Sequence, residues 1–371
     1  MNPTAPTTDP LFQPIRCANC DAGPEQNQLL TETRVTHHGH LHGLPLRVVV
    51  CGRCGLTFLN PQPTPAALQR FYEREYYAGT KPISAESRMK EKDWQRTILL
   101  PWLLAHLPPV KNWSILDIGC GYGEWLRHFD RSNRLLGIEQ SESAARAANE
   151  RFGVEVRQCD FMANGYDAGR FDLVTGLAII EHFSDPLAAL VETNRITRTG
   201  GFIYLQTPDL HAMVLRKGVS RYFKLVHTYY YTLATLTSLL RKAGFELVAA
   251  RQRPAVLSTS DALRPGNYWA GELDVLGRKT ADVSLAEAHA HPGTGDAPGE
   301  SAALLAAAQA RDERYARLTA LYRVPVIGRL ANHLVRASYK LTGRSTKRVD
   351  FHTAQLEALS AGGKKKLVLS D

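Results

Sequence analysis

The segment Ser114-Ile115-Leu116-Asp117-Ile118-Gly119-Cys120-Gly121-Tyr122-Gly123-Glu124-Trp125-Leu126 sets one carboxylate just ahead of three glycines at alternate positions. Glycine accepts positive φ and has no Cβ, so such a loop turns sharply and lets a ligand approach its backbone. The apolar run from Ser114 to Ile118 has strand character, and the pattern from Glu124 opens like a helix, whose first N–H groups lack partners. A dinucleotide fingerprint spaces its glycines G-x-G-x-x-G, and Asp117 beside the loop would repel a pyrophosphate. A carboxylate there suits a cation such as an ammonium, and a nearby sulfonium would gain from it as well. The next apolar run, Leu135 to Ile138, ends in Glu139, about 20 residues beyond Gly119, where an acid can take ribose hydroxyls. Together these features imply a nucleoside that carries an amino-acid cation.

Two further motifs lie near the N-terminus. Cys17-Ala18-Asn19-Cys20 and Cys51-Gly52-Arg53-Cys54 are C-x2-C knuckles, each able to present two thiolates to one tetrahedral zinc ion. Four sulfurs close the shell, so the ion would be structural, and a redox dithiol is the competing reading. Leu46 to Val50 and Leu56 to Leu59 read as short strands on either side of the second knuckle, and the layout resembles a zinc ribbon. The spacer between the knuckles exceeds the roughly 15–20 residues of the usual ribbon, so Gln26 to Gly43 is expected to be a loop excursion. Its histidines, His37, His38, His40 and His42, could compete as ligands. Cys120 and Cys159 have no adjacent base and read as small buried side chains rather than nucleophiles.

The elements that must position these groups follow in a definite order. Val154 to Val156 is a third strand delivering Cys159-Asp160-Phe161, and Phe171 to Val174 is a fourth, followed by Ile180-Glu181-His182-Phe183-Ser184-Asp185-Pro186. Gly200 to Leu205 looks like a turn and fifth strand, and Leu239 to Phe245 like a closing helix with its glycine. With Asp117 to Gly123, this series resembles the class I S-adenosylmethionine-dependent methyltransferases from about Trp113 to Val248. The resemblance implies an α/β, doubly wound, Rossmann-like seven-stranded methyltransferase sheet with S-adenosylmethionine as cofactor. It assigns Asp117, Gly119, Gly121 and Gly123 to the amino-acid end, Glu139 to the sugar, and Asp160 and Phe161 to the adenine, with Cys120, Gln140 and Leu177 in the same cofactor-binding set. Capping of the following turn is the competing role for Asp160. In relatives that carry such a zinc module, a tyrosine from the joining segment looks over the cofactor, and Tyr77 is the matching position. A packing aromatic is the other reading of Tyr77.

Ala178 to His182 lies where the carboxyl edge of an open α/β sheet meets its substrate. Glu181 and His182 could position an acceptor hydroxyl or take its proton. His227, in Val226-His227-Thr228-Tyr229-Tyr230-Tyr231-Thr232, is the first candidate for the base, because a histidine in such a stretch has that role in the zinc-bearing sugar C-methyltransferases this layout resembles. A hydrogen-bonded packing histidine is the alternative. Methyl transfer from a sulfonium needs in-line alignment and a base near neutral pKa, a range histidine meets unaided. No second cluster of histidines and carboxylates in the sequence forces an electrophilic metal.

The 371 residues allow two or three domains, and 44% hydrophobic with 22% charged residues fits a globular chain. The start has neither a basic segment nor an apolar stretch, and no run approaches the ~20 apolar residues of a membrane span, so a cytoplasmic protein is expected. Much of the net charge of +9 lies beyond Arg311, which argues for a basic tail rather than a nucleic-acid-binding chain. The expected organisation is a disordered 1–14, a zinc-ribbon-like module over 15–62, linking helices over 63–110, a methyltransferase domain over 111–275, a linker over 276–305 and a basic helical region over 306–371. That last region could dock on the core or lie peripherally on the inner membrane surface. The expected partner is a small oxygenated acceptor such as a nucleotide-linked sugar or glycan precursor. An RNA methyltransferase and a non-catalytic scaffold are the competing readings.

Overall fold

The computed structural model describes residues 11–35, 43–68, 95–217, 222–253, 271–291 and 293–294, with single positions at 306, 310 and 313. Tyr77, the histidines at 37, 38, 40 and 42, most of the joining segment and the basic C-terminal region lie outside the described residues.

The N-terminal strands are β1 (Phe12–Gln13), β2 (Asn27–Arg34), β3 (Pro45–Cys51), β4 (Thr57–Leu59) and β5 (Gln62–Pro63). The first part of the expected loop excursion is in fact β2, antiparallel to β3 from Asn27 opposite Cys51 to Arg34 opposite Pro45. Only Leu30 of β2 is buried, so a polar edge strand carried little hydrophobic signal.

In the core, α1 (Leu100–Ala105) precedes β6 (Ser114–Ile118) and β7 (Arg134–Glu139). Next come α2 (Glu142–Phe152), β8 (Glu155–Gln158), β9 (Phe171–Leu177), α3 (Pro186–Ile196) and β10 (Thr197–Pro208). Then follow α4 (Leu210–Lys217), β11 (Tyr229–Tyr230), α5 (Leu233–Lys242), β12 (Phe245–Gln252), β13 (Glu272–Lys279) and α6 (Leu285–Ala290). Local chemistry sets several boundaries. Ser141 Oγ accepts from Ala144 N to begin α2, and Gly153, at φ 63°, ends it. A reciprocal Thr232–Thr235 capping box starts α5.

Seven strands form one sheet in the order β12-β13-β10-β9-β6-β7-β8. The strands from β10 to β8 are mutually parallel, while β13 runs antiparallel between β10 and β12. This is the Rossmann-like methyltransferase sheet. Strand order reverses at β6, whose neighbours are β7 and β9, and the crevice outside the carboxyl ends of β6 and β9 is where such sheets hold ligands.

Two expectations change here. The glycine loop does not open a regular α-helix, because only a 3-10 turn, Leu126–His128, follows it. The loop's free N–H groups meet nearby carboxylates instead: Gly121 N donates to Glu139 Oε2 at 3.0 Å and Tyr122 N to Glu124 Oε2 at 3.0 Å. The linker expected from residue 276 begins inside β13, a strand whose residues are buried apart from Arg278. Buried carboxylates disguised it. Asp274, fully buried, accepts from Tyr204 Oη at 3.0 Å and pairs with Arg251 at 2.8 Å and Arg253 at 3.0 Å. Glu272 accepts from Gln206 Nε2 at 2.8 Å.

The small four-stranded sheet has the order β11-β4-β3-β2, so the core lends β11 to the N-terminal module. Tyr229 pairs with Phe58 and Tyr230 with Thr57.

Removing one partner of a buried ion pair typically costs about 3–5 kcal/mol, because the other charge stays buried. Asp274→Ala, which strands Arg253 and Tyr204, should therefore lower the urea midpoint sharply, while Asp172→Ala at the exposed Arg198 pair should shift it little. Equal small shifts in both would show that the Asp274 cluster does not hold β13 in place.

Candidate active site

All three glycines of the loop take left-handed backbone: Gly119 at φ 67°, Gly121 at 57° and Gly123 at 77°. A Cβ on Gly119 would stand 2.8 Å from Ile179 Cδ1, and one on Gly123 2.8 Å from Val154 Cγ2. The loop after β6 thus packs directly on the loop after β9. That second loop begins at Ala178, itself left-handed at φ 53°, whose N–H donates to Gln206 O at 2.7 Å. A non-glycine residue in this region is a small local strain of a kind that gathers at functional turns.

Asp117 is 3% exposed and accepts from Thr175 Oγ1 at 2.7 Å. Burial pushes its carboxyl up to about 8, and the nearby Glu124 and Glu139 carboxylates push the same way against the Thr175 hydrogen bond. Glu139, half-buried at the end of β7, accepts from Ser141 N at 2.9 Å as well as from Gly121 N, and its pKa is also raised, first by burial. Cys120 is buried, and burial raises its thiol well above the ordinary value. Gln140 is exposed and Leu177 half-buried. Asp160 caps the 3-10 turn Phe161–Ala163 by accepting from Met162 N at 2.9 Å, while Phe161 is buried against Phe183 with ring centroids 5.8 Å apart. These residues line the carboxyl ends of β6, β7, β8 and β9. Tyr77 lies outside the described residues.

The acceptor candidates converge. Glu181 and His182 sit on the 3-10 turn Ile180–His182 after β9, and the His227 ring lies 4.8 Å from that of His182, edge to face. One ligand-type atom from each of the three lies within 4.8 Å of the others. Thr228 holds them together: its N–H donates to Glu181 O at 2.8 Å and its Oγ1 to Phe183 O at 2.8 Å. Thr207, at the end of β10, donates from Oγ1 to Glu181 Oε2 at 2.9 Å. Burial raises Glu181 to about 7 and lowers His182 to about 4, the latter opposed by a hydrogen bond to the Val226 backbone. Near pH 7 Glu181 is therefore poised to exchange a proton and His182 is neutral. Thr207 and Thr228 were not legible in the sequence, because each matters only through a partner brought near by folding.

The four N-terminal cysteines also converge. Cys17 Sγ is 3.6 Å from Cys54 Sγ and Cys20 Sγ 3.5 Å from Cys51 Sγ, with all four sulfurs within 4.8 Å of one another. The two knuckles are built alike. Asp21 N donates to Cys17 O at 2.8 Å and Gly55 N to Cys51 O at 2.9 Å, and Asp21 and Gly55 are both left-handed. Metal–sulfur bonds of about 2.3 Å in a tetrahedron require sulfurs less than 4 Å apart. The Cys17–Cys54 and Cys20–Cys51 separations meet that requirement.

Residues 69–250 match the family described as a methyltransferase domain. The core is a class I S-adenosylmethionine-dependent methyltransferase domain. An uncharacterised methyltransferase of Schizosaccharomyces pombe is 30% identical over 115 residues, covering 27% of this chain and 41% of that protein. A tRNA U34 carboxymethyltransferase of Haemophilus ducreyi is 25% identical over 168 residues, covering 42% of this chain and 52% of that protein. A ubiquinone biosynthesis O-methyltransferase of Thiobacillus denitrificans is 27% identical over 159 residues, covering 37% and 66%. The matched stretches thus span between two fifths and two thirds of these relatives. Among the described residues of the chain that carries this methyltransferase domain, no helix is long and apolar enough to cross a membrane.

Asp117 supplies a test of the electrostatics. Its carboxyl keeps a proton to about pH 8 in the folded chain against an ordinary value of 3.8, so between those values the native state binds more protons than the unfolded one. Its contribution to stability is complete below the unfolded value and is lost as pH rises toward the folded one. The urea midpoint of Asp117→Asn should therefore fall less than that of the parent from about pH 5 to about pH 8. Parallel profiles would show that Asp117 is ionised throughout.

Proposed function

We propose that this methyltransferase moves the methyl group of S-adenosylmethionine to a hydroxyl oxygen of a small acceptor, such as a nucleotide-linked sugar or glycan precursor. The observation that carries this reading is the meeting of Glu181, His182 and His227 at the carboxyl end of β9, next to the strand that bears the glycine loop. The cofactor supplies an electrophilic methyl group. Asp117 and the glycine loop would take its amino-acid end, Glu139 and Gln140 its ribose, and Asp160 and Phe161 its adenine. His227, with Glu181 beside it, would receive the proton of the acceptor hydroxyl. The N-terminal module, joined to the core by the pairing of β4 with β11, stands beside His227, and this supports a small acceptor over a polymer. The named relatives differ in acceptor, one acting on tRNA and one in ubiquinone biosynthesis, and the choice made here rests on the site.

The deciding experiment incubates the full chain with S-adenosylmethionine labelled in its methyl group and a cell extract, then separates nucleotides, lipids and RNA. Label in a nucleotide-linked sugar supports the proposal, and label confined to RNA overturns the small-acceptor reading. In the same protein Glu139→Ala should weaken cofactor binding by calorimetry about 10-fold, the order of a lost charge-assisted hydrogen bond. Unchanged affinity would remove Glu139 from the cofactor site.

The four cysteines are proposed to hold one structural zinc ion that fixes the first knuckle against α5. Asn19, between Cys17 and Cys20, accepts from Ser238 Oγ at 2.9 Å and receives Lys242 Nζ at its carbonyl. Metal analysis should give one zinc per chain, lost in the Cys51→Ser, Cys54→Ser double variant together with several degrees of thermal stability. Unchanged zinc content in that variant would end the four-thiolate assignment.

A further inference from the structure

We propose that Glu181, His182 and His227 form a second metal site, for a divalent cation of the manganese or iron type, at the acceptor end of the methyltransferase sheet. No such cluster is visible along the chain, where 44 residues separate His182 from His227. Folding brings them together, and the donors from the three residues lie within 4.8 Å of one another.

Three features mark this as a built site rather than a chance meeting. First, Glu181 is 2% exposed, and its Oε1 is buried and accepts no hydrogen bond among the described residues, while Oε2 accepts from Thr207. A carboxylate steadied through one oxygen and bare at the other is the arrangement that ligating carboxylates adopt, with Thr207 as the outer partner. Second, a ring nitrogen of His182 is hydrogen-bonded to the Val226 backbone, the kind of outer partner that orients a ligating imidazole. Third, His227 stands on a loop fastened to the Glu181 turn by the hydrogen bonds of Thr228 to Glu181 O and Phe183 O, so the distance between the ligands does not depend on one side chain.

The donor set selects the cation. Two imidazoles and one carboxylate suit manganese, iron, cobalt or zinc better than calcium or magnesium, and three protein ligands leave coordination positions open. Those positions would be available to two neighbouring oxygens of a diol. The cation would make the acceptor hydroxyl more acidic. With the cation bound, His227 and Glu181 would serve as ligands in place of the base role, and the hydroxyl's O–H bond would release its proton to solvent as the oxygen forms its bond to the methyl carbon, while the carbon–sulfur bond breaks and the pair stays on sulfur. This role rests on the methyl-transfer reading. Binding of the cation does not.

The test uses the full chain with its thiolate site left intact, treated with a chelator and titrated with manganese(II) while the free-ion electron paramagnetic resonance signal is followed. One manganese per chain is expected. Binding should weaken at least 10-fold in His227→Gln and in Glu181→Gln, and about 10-fold in Thr207→Val, which removes the outer hydrogen bond. Thermal melts and S-adenosylmethionine titrations of each variant report folding and cofactor binding separately. Absence of manganese binding by the parent overturns the inference, as does binding that survives both ligand substitutions in folded protein. If manganese binds but labelled methyl is transferred at an equal rate with and without it, the cation's role in the reaction falls while the metal site and methyl transfer both stand. If manganese binds as expected and no extract fraction is methylated, the metal site stands and the methyl-transfer reading falls.

Discussion

Thr228 is the point on which the site depends. Fully buried, it donates its N–H and hydroxyl to the backbone of the turn after β9, and its own carbonyl accepts from Leu59 N at 3.0 Å. One residue thus joins the loop that carries His227, the turn that carries Glu181 and His182, and the last residue of β4 in the N-terminal module. Buried backbone groups need partners, and a loop lying over the end of a sheet cannot find them within itself. Here it finds them on two sides, which sets the separation of the two imidazoles.

The N-terminal module is consequently part of the frame of the candidate site. Its second knuckle leads into β4, β4 pairs with β11, and β11 lies two residues beyond His227. Its first knuckle rests on α5 through Asn19, and the cysteines belong to the same apolar cluster as Tyr229, Tyr231, Leu236 and Leu239. A metal that orders the knuckles would act on the acceptor site through this packing, at a distance from the chemistry.

The far side of the sheet is stabilised differently. β13 carries buried Asp274 among Tyr204, Arg251 and Arg253, buried Glu272 against Gln206, and buried Lys279 donating to Asn194 O at 2.6 Å and Thr197 O at 2.8 Å. Buried charges are tolerated because each has partners. They also specify register, since slipping β13 by one residue would turn Leu273 and Val275 away from their core and strand the acids.

The sequence by itself determined the parts whose physics is local. Alternating glycines after a strand announced a left-handed loop, the paired knuckles announced converging thiols, and the apolar runs at Ile115, Leu135 and Phe171 announced strands. It misjudged β2, β13 and the turn after Gly123, where polar residues owe their places to partners far away in the chain. Tertiary structure alone decided that Glu181, His182 and His227 stand together, that β11 completes the N-terminal sheet, and that Asp117 is withdrawn from water, which raises its pKa. The reason is the same in each case. Periodicity and turn chemistry act over a few residues, whereas the burial of a carboxylate and the meeting of two imidazoles depend on which distant strands the fold sets side by side.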